Sequence, residues 1–276
     1  WTLFQGMHYP YGDHLVMSDP MPIIANGLKV FHRPGSDWID ETIQWTHLAM
    51  LLSILLSALF LYLILERLQL PVWLACTAAL ALSFMAPMVA RMGFHFGLAQ
   101  PAALPVVFYF LMRFQESPRW IYSALIAFAV LFFSLFHFHY FGVFVLGISL
   151  YYFVDFLIVR EWRHLIRLFP HYALQVLLPF ILLSAWLGSG PDVSDRASQP
   201  WGFLFYRARL EGLFASADQW HWRWADRWVS RLPALDVEAQ NYVGMFAGLG
   251  LLLLLAIQLR SGFRRPLLPD AVPQRA

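Results

Sequence analysis

A single cysteine, Cys76, stands among 276 residues. No disulfide forms within the chain, and no thiolate metal cluster is built from it. Cys76 lies inside an apolar stretch and reads as a small buried hydrophobe. Charge is scarce as well. Asp, Glu, Lys and Arg make up 13% of the chain, against roughly 25% in soluble domains. The net charge is only +2, and the Arg-rich segments are short, which argues against nucleic-acid binding. There is no glycine loop between a strand and a helix, no zinc-protease helix motif and no serine elbow. No cofactor is expected, and no residue pattern argues for a divalent metal. The chain opens at Trp1 without a basic leader region, so no signal peptide is read within it. An outward-facing first loop needs something upstream to deliver it, and at least one further span is expected before Trp1.

What is abundant is apolar length. Hydrophobic residues make up 59% and aromatic residues 17% of the chain, and the mean hydropathy is +0.57. A membrane-crossing helix needs about 20 mainly apolar residues. Seven stretches qualify, at roughly 43–65, 71–90, 96–112, 120–137, 140–159, 169–187 and 242–259. The third is short and holds Pro101 and Pro105, which predicts a broken helix or a re-entrant turn around Gly97. The apolar run 120–159 is too long for one span and predicts a hairpin turned at His137–Tyr140. The expected fold is therefore all-α: a polytopic transmembrane bundle of about seven spans, forming one membrane domain over 1–276 with interfacial outer helices. Residues 1–42 form an outer loop, 43–187 hold six spans, 188–241 form a second outer loop, 242–259 are the last span and 260–276 a cytoplasmic tail.

Charge orients the bundle. Arg67, then Arg113 and Arg119, then Arg160, Arg163 and Arg167, then Arg260, Arg264, Arg265 and Arg275 sit in short segments. All fall on one side if the spans alternate. Short basic loops stay cytoplasmic, which puts the acid-richer loops 1–42 and 188–241 outside. A bacterial inner-membrane protein is the expected setting. In the first loop, Tyr9 to Asp13 and Asp19-Pro20 are turn chemistry. Residues 21–32 read as a short amphipathic surface helix, and Ser36 or Asp37 as a cap on the first span. In the second loop, the Trp- and Arg-rich run 201–228 suits the headgroup layer, and its Arg207 and Arg209 equally suit a phosphate.

Several polar residues gather on this outer side. Arg91 and His95, four apart, share a face if helical. Arg91 reads as a snorkelling side chain or a phosphate contact, and His95 as a hydrogen-bonded partner or a base. His137, His139 and Tyr140 form the next turn, as a polar rim or as interfacial anchors; no third ligand type stands near the two histidines in sequence. Asp155, close to Arg160, is expected in a local ion pair or a packing contact, and Asn241 with Tyr242 is expected to open the last span.

Three stretches, "YPYGDHLVMSDPMPIIANGLKVF", "RMGFHFGLAQ" and "NYVGMFAGLGLLLLL", resemble the GT-C type polytopic membrane glycosyltransferases of bacteria. The resemblance implies transfer of a sugar from a polyprenyl-phosphate donor to a lipid, glycan or protein acceptor on the outer face. It also implies an acidic residue in the first outer loop that aligns or deprotonates the acceptor. In that family this acid usually follows the first span, which is expected upstream of Trp1. Asp13 and Asp19 are therefore matches in kind rather than in position, and the tail is short for the family. Transfer chemistry needs a carboxylate for the acceptor hydroxyl and cations for the departing phosphate. Asp13 or Asp19 fits the first need, and Arg91 with Arg207 or Arg209 the second. The competing readings are a transporter or flippase, which would show ionisable residues deep in its spans or an internal repeat, and a non-catalytic assembly subunit.

Overall fold

The computed structural model describes residues 3–4, 13–14, 21–31, 38–93, 95–189 and 256. The chain divides into two compact units, Trp1–Asp192 and Val193–Ala276; apart from Ala256 the second lies outside the described residues, and with it the expected outer loop 188–241 beyond Ser189 and the span 242–259. Among the described residues of the first unit the regular structure is helical, except for a two-residue antiparallel pair, β1 (Leu3–Phe4) with β2 (Asp13–His14). Leu3 pairs with His14 and Phe4 with Asp13, while the Tyr9–Gly12 turn residues lie outside the described residues.

The helices follow in order as α1 (Pro22–Phe31), α2 (Trp38–Arg67), α3 (Val72–Phe84), α4 (Pro87–Ala90), α5 (Ala103–Glu116), α6 (Trp120–Ser134), α7 (His139–Val159), α8 (Trp162–Tyr172) and α9 (Leu178–Gly188). Four helical segments are long and apolar enough to cross a membrane: Asp40–Arg67, Phe96–Glu116, His139–Val159 and Trp162–Gly188. The bent pair α3–α4 makes a fifth if counted as one span. This is an all-α polytopic membrane protein. Its outward surface agrees: Leu51, Leu55 and Leu59 on α2 and Leu146, Leu150 and Ile158 on α7 are exposed from the bundle. Lipid tails are as apolar as leucine, so such faces gain nothing by turning inward. Cys76 also faces outward. The expected burial is corrected because α3 lies at the rim and buries only its Ala75, Ala79 and Ser83 stripe.

Prolines set where the helices depart from the sequence expectation. The stretch 71–90 breaks by 41° between Val72–Phe84 and Pro87–Gly93. Pro87 has no N–H for the helical ladder, and its ring crowds the preceding turn. The stretch 96–112 is helical only from Ala103; before it comes a short 3-10 turn, Phe96–Leu98. The basic segment around Arg163 and Arg167, expected as a loop, is helical from Trp162 and runs on to Gly188 through a π-turn at Ala173–Leu177. Pro179 cannot donate to the carbonyl four residues back, and a π-turn absorbs the missing bond. The hairpin within 120–159 forms as expected, with α6 ending at Ser134 and α7 starting at His139. The α6 helix has only 15 residues, about 22 Å, which is short for a hydrocarbon core of about 30 Å. It instead sits inside the bundle, where Ile126 and Val130 have no exposed surface.

The arginine-bearing turns meet at one end. Arg67 pairs with Glu116 at 2.5 Å, and Arg113 Nε lies 3.7 Å from the same carboxylate. Arg113 also donates to Tyr122 at 2.8 Å. Asp155 pairs with His164 at 2.7 Å, not with Arg160. Arg160 ends α7 in a left-handed conformation and donates from Nε to the Leu157 carbonyl, which turns its guanidinium back along its own helix. Replacing Glu116 by Gln leaves two half-buried guanidinium groups without their counter-charge. A stability loss of about 1–2 kcal/mol is expected, read from unfolding in mixed micelles, while Glu66→Gln, an exposed neighbour, should change little.

Candidate functional site

The opposite end of the bundle is where the backbone stops being regular. Pro101 and Pro105 keep the chain from helix before Ala103, and residues 95–102 run inward as turns. The Ala102 N–H bonds Ser53 Oγ at 3.1 Å, and Ser53 lies midway along the 30-residue α2. The non-helical strand of chain therefore reaches membrane depth. Backbone there must be satisfied by protein or line a wet cavity. Gly97 and the run Ala99–Ala103 are buried.

Tyr140 holds this segment. Its hydroxyl donates to the Leu98 carbonyl at 2.7 Å and accepts from the Gln100 N–H at 3.3 Å. The ring stacks on Phe144 and packs against Phe133. The first-loop helix reaches the same end: Met21 joins the bundle core, and the Ile23 N–H donates to the Leu135 carbonyl at 3.1 Å. The expected short helix over 21–32 thus forms, docked by Met21 and Leu28 rather than lying free on a surface. Stacking of Phe138 on Trp186 ties in the end of α9.

Of the residues singled out from sequence, five have described positions around this end. Tyr140 is buried at its centre. His137 and His139 sit on the turn before α7, their Nδ1 atoms 2.9 Å apart, with the His139 N–H donating to His137 Nδ1 at 3.3 Å. Arg91 opens a 3-10 turn, Arg91–Gly93. His95 precedes the next turn with an extended backbone (φ −129°, ψ 73°). One helical face for Arg91 and His95 is therefore corrected: the break before Pro87 and the inward turn at His95 end regular helix, although the His95 N–H still reaches the Arg91 carbonyl at 2.8 Å. Asp13 is described only as a strand residue opposite Phe4. Asp19, Arg207, Arg209, Ser36, Asp37, Asn241 and Tyr242 lie outside the described residues. No group of three or more His, Cys, Asp or Glu that could hold a metal ion occurs among the described residues.

Two features were not singled out from sequence. Gln100 is almost wholly buried, and its Nε2 has no hydrogen-bond partner. Buried amides are nearly always paired, so an orphan is a candidate ligand contact. The second is a polar chain inside the bundle. Tyr152 donates to Gln175 Oε1 at 3.1 Å, Gln175 Nε2 to Ser123 Oγ at 2.9 Å, and Ser123 Oγ meets His171 Nδ1 at 2.9 Å. Gln175 lies in the π-turn, and Phe114 and Trp120 pack on the His171 ring. Only an apolar-to-polar break such as His171-Tyr172 and Gln175 within a span hints at this in sequence.

Fold and site together define a polytopic α-helical membrane protein with a broken span entering from the end opposite its paired arginines. The chain belongs to the family described as a domain of unknown function, DUF6311, whose model matches residues 1–273. Neither the curated proteins nor the solved structures contain a match to it.

Proposed function

We propose that this chain is a membrane glycosyltransferase of the GT-C type, with seven spans in the bacterial plasma membrane and residues 1–42 and 188–241 on the outer side. It takes a sugar from a polyprenyl-phosphate donor and passes it to a lipid, glycan or protein acceptor. The observation that carries the reading is the inward-turned segment 95–102. It sets Gln100 beside Tyr140, at the end of the bundle where His95 precedes its turn and His137 and His139 stand at the start of α7, and a broken span of this kind suits a wet cavity for a lipid-linked donor. In the reaction, Asp13 or Asp19 takes the proton of the acceptor hydroxyl. The oxygen bonds the sugar's anomeric carbon as the bond to the phosphate oxygen breaks, and polyprenyl phosphate leaves with the electron pair. Arg91, with Arg207 and Arg209, offsets the charge that develops on it, and His95, His137, His139 and Tyr140 line the substrate.

The purified protein in nanodiscs, given a panel of polyprenyl-phosphate sugars, should release polyprenyl phosphate. Loss of the catalytic carboxylate should lower turnover about 100-fold or more, so at least one of Asp13→Ala and Asp19→Ala should show this. Arg91→Ala should lower it by about tenfold or more. Folded protein with no turnover over the panel sinks the reading, and full activity in all three variants sinks the site assignment.

A second reading, a transporter or flippase for a lipid-linked solute, is favoured by the His171–Ser123–Gln175–Tyr152 chain. An ionisable residue inside a span is the signature expected of that class. Proteoliposomes that translocate a fluorescent polyprenyl-phosphate sugar without consuming it would select this reading over transfer.

A further inference from the structure

The helical segment Trp162–Gly188 has 27 residues. It rises about 40 Å, against a hydrocarbon core of about 30 Å. Roughly the first two turns of α8 therefore stand in the headgroup layer. Short α6 points the same way: its first residue, Trp120, packs on His171, so residues 162–168 reach past the end of that neighbour.

This projecting helix has three faces. At about 100° per residue, His164, Leu168 and His171 share one third of the circumference and turn to the bundle, where Leu168 and His171 are buried and His164 holds Asp155. Trp162, Ile166 and Phe169 share the second third and are 68%, 69% and 56% exposed. Arg163 and Arg167 occupy the remaining third, and both are exposed. They are four apart on one helix, with Cβ atoms about 5–6 Å from each other. Arg160 is exposed one turn before them. Glu161 is the exposed acid beside them, and the Asp155 carboxylate is already engaged by His164. Among the described residues, two guanidinium groups thus stand beside one unengaged carboxylate, and Arg160, bonded to the Leu157 carbonyl, adds a third positive charge one turn away.

We propose that the start of α8 is a binding surface for anionic phospholipids of the leaflet at this end. The phosphodiester lies between Arg163 and Arg167, with Arg160 adding charge, and the acyl chains lie along Trp162, Ile166 and Phe169. The occupant is fixed by the two exposed faces being adjacent. A soluble acidic partner would leave the apolar face in water, whereas a lipid satisfies both at once. Guanidinium forks match phosphate oxygens in pairs. A zwitterionic headgroup brings its own cation and gains little from a positive surface.

The test uses the whole chain, purified in a neutral detergent and titrated with dioleoylphosphatidylglycerol or dioleoylphosphatidylcholine in mixed micelles, following Tm. Phosphatidylglycerol should raise Tm at a lower mole fraction than phosphatidylcholine. A basic residue at an anionic surface contributes about fivefold. R163Q and R167Q should each raise the half-saturating phosphatidylglycerol fraction about fivefold, and the double variant at least tenfold, with the lipid-free Tm unchanged. R119Q, an exposed arginine on another turn of the same end, should leave the titration as it was. Should the double variant fail to fold, the single variants decide. Equal response to both lipids overturns the proposal, as does a full preference for phosphatidylglycerol in the folded variants, or an R119Q effect as large as theirs.

Discussion

Replacing Tyr140 by Phe should destabilise the protein by about 2–4 kcal/mol, although it removes a single oxygen. The ring stays, so its packing on Phe133 and Phe144 is retained. What is lost is the hydroxyl that accepts from the Gln100 N–H and donates to the Leu98 carbonyl. Both backbone groups belong to a non-helical segment, where the backbone ladder of a regular helix is missing. An unsatisfied buried polar group costs about 1–3 kcal/mol, and here two are stranded. Unfolding in mixed micelles, compared with Phe133→Leu as a packing control, measures the loss. On the proposed transferase reading, turnover should fall as well, by about tenfold or more, because a misplacement of about an ångström in a positioned group has effects of that size. A Tyr140→Phe protein with parental stability and activity would show that the segment 95–102 is held by other contacts.

The second large effect is expected at Gln175. Substitution by Leu removes the amide that joins Tyr152 to Ser123 and leaves the Tyr152 hydroxyl facing an apolar side chain, while Ser123 keeps His171. In a water-soluble core one orphaned hydroxyl would cost about 1–3 kcal/mol. Inside a bilayer, hydrogen bonds between helices average nearer 0.6 kcal/mol, because the separated helices find other partners. The membrane value wins where alternative partners are reachable. The expected loss is therefore about 1 kcal/mol. A double-mutant cycle with Tyr152→Phe should return a coupling near 1 kcal/mol. If the chain instead carries solute or protons, Gln175→Leu should abolish translocation while costing no more than this in stability, and the two readouts separate structure from transport.

Gln100 offers a contrasting expectation. Its side-chain nitrogen has no partner to lose, so Gln100→Met should leave stability equal or slightly raised while lowering turnover. Stability bought at the expense of function is the mark of a polar group kept for a ligand. A clear drop in Tm would make it a structural residue.

Much of the bundle was legible in residue order. Long apolar runs need nothing but lipid and their own backbone bonds to become helices, so the helical segments starting at Trp38, Val72, Trp120, His139 and Trp162 lie on stretches marked from hydropathy. Pro101 and Pro105 announced a break, since a missing N–H acts locally wherever the helix packs. The hairpin at His137–Tyr140 followed from length alone. Ends were harder. The helical register continues into Trp162–Leu168 because an amphipathic, Arg-bearing segment can stand in the headgroup layer, which hydropathy scores as loop. Asp155 sits five residues from Arg160 in sequence, but the left-handed turn at Arg160 directs that side chain elsewhere and delivers His164 in its place.

The sequence by itself determined that the chain is helical and crosses a membrane several times, and it gathered basic residues in short segments between the apolar stretches. These properties depend on composition over a window of about 20 residues, and no distant partner is needed to establish them. Only the tertiary structure decided which polar groups meet. Ser53 with Ala102, Tyr140 with Leu98 and Gln100, and Ser123 with His171 and Gln175 are separated by 40 or more residues, each among apolar neighbours with no spacing of its own. In a medium without water, such groups are satisfied by whatever the packing of helices brings beside them, and that packing is a property of the assembled bundle.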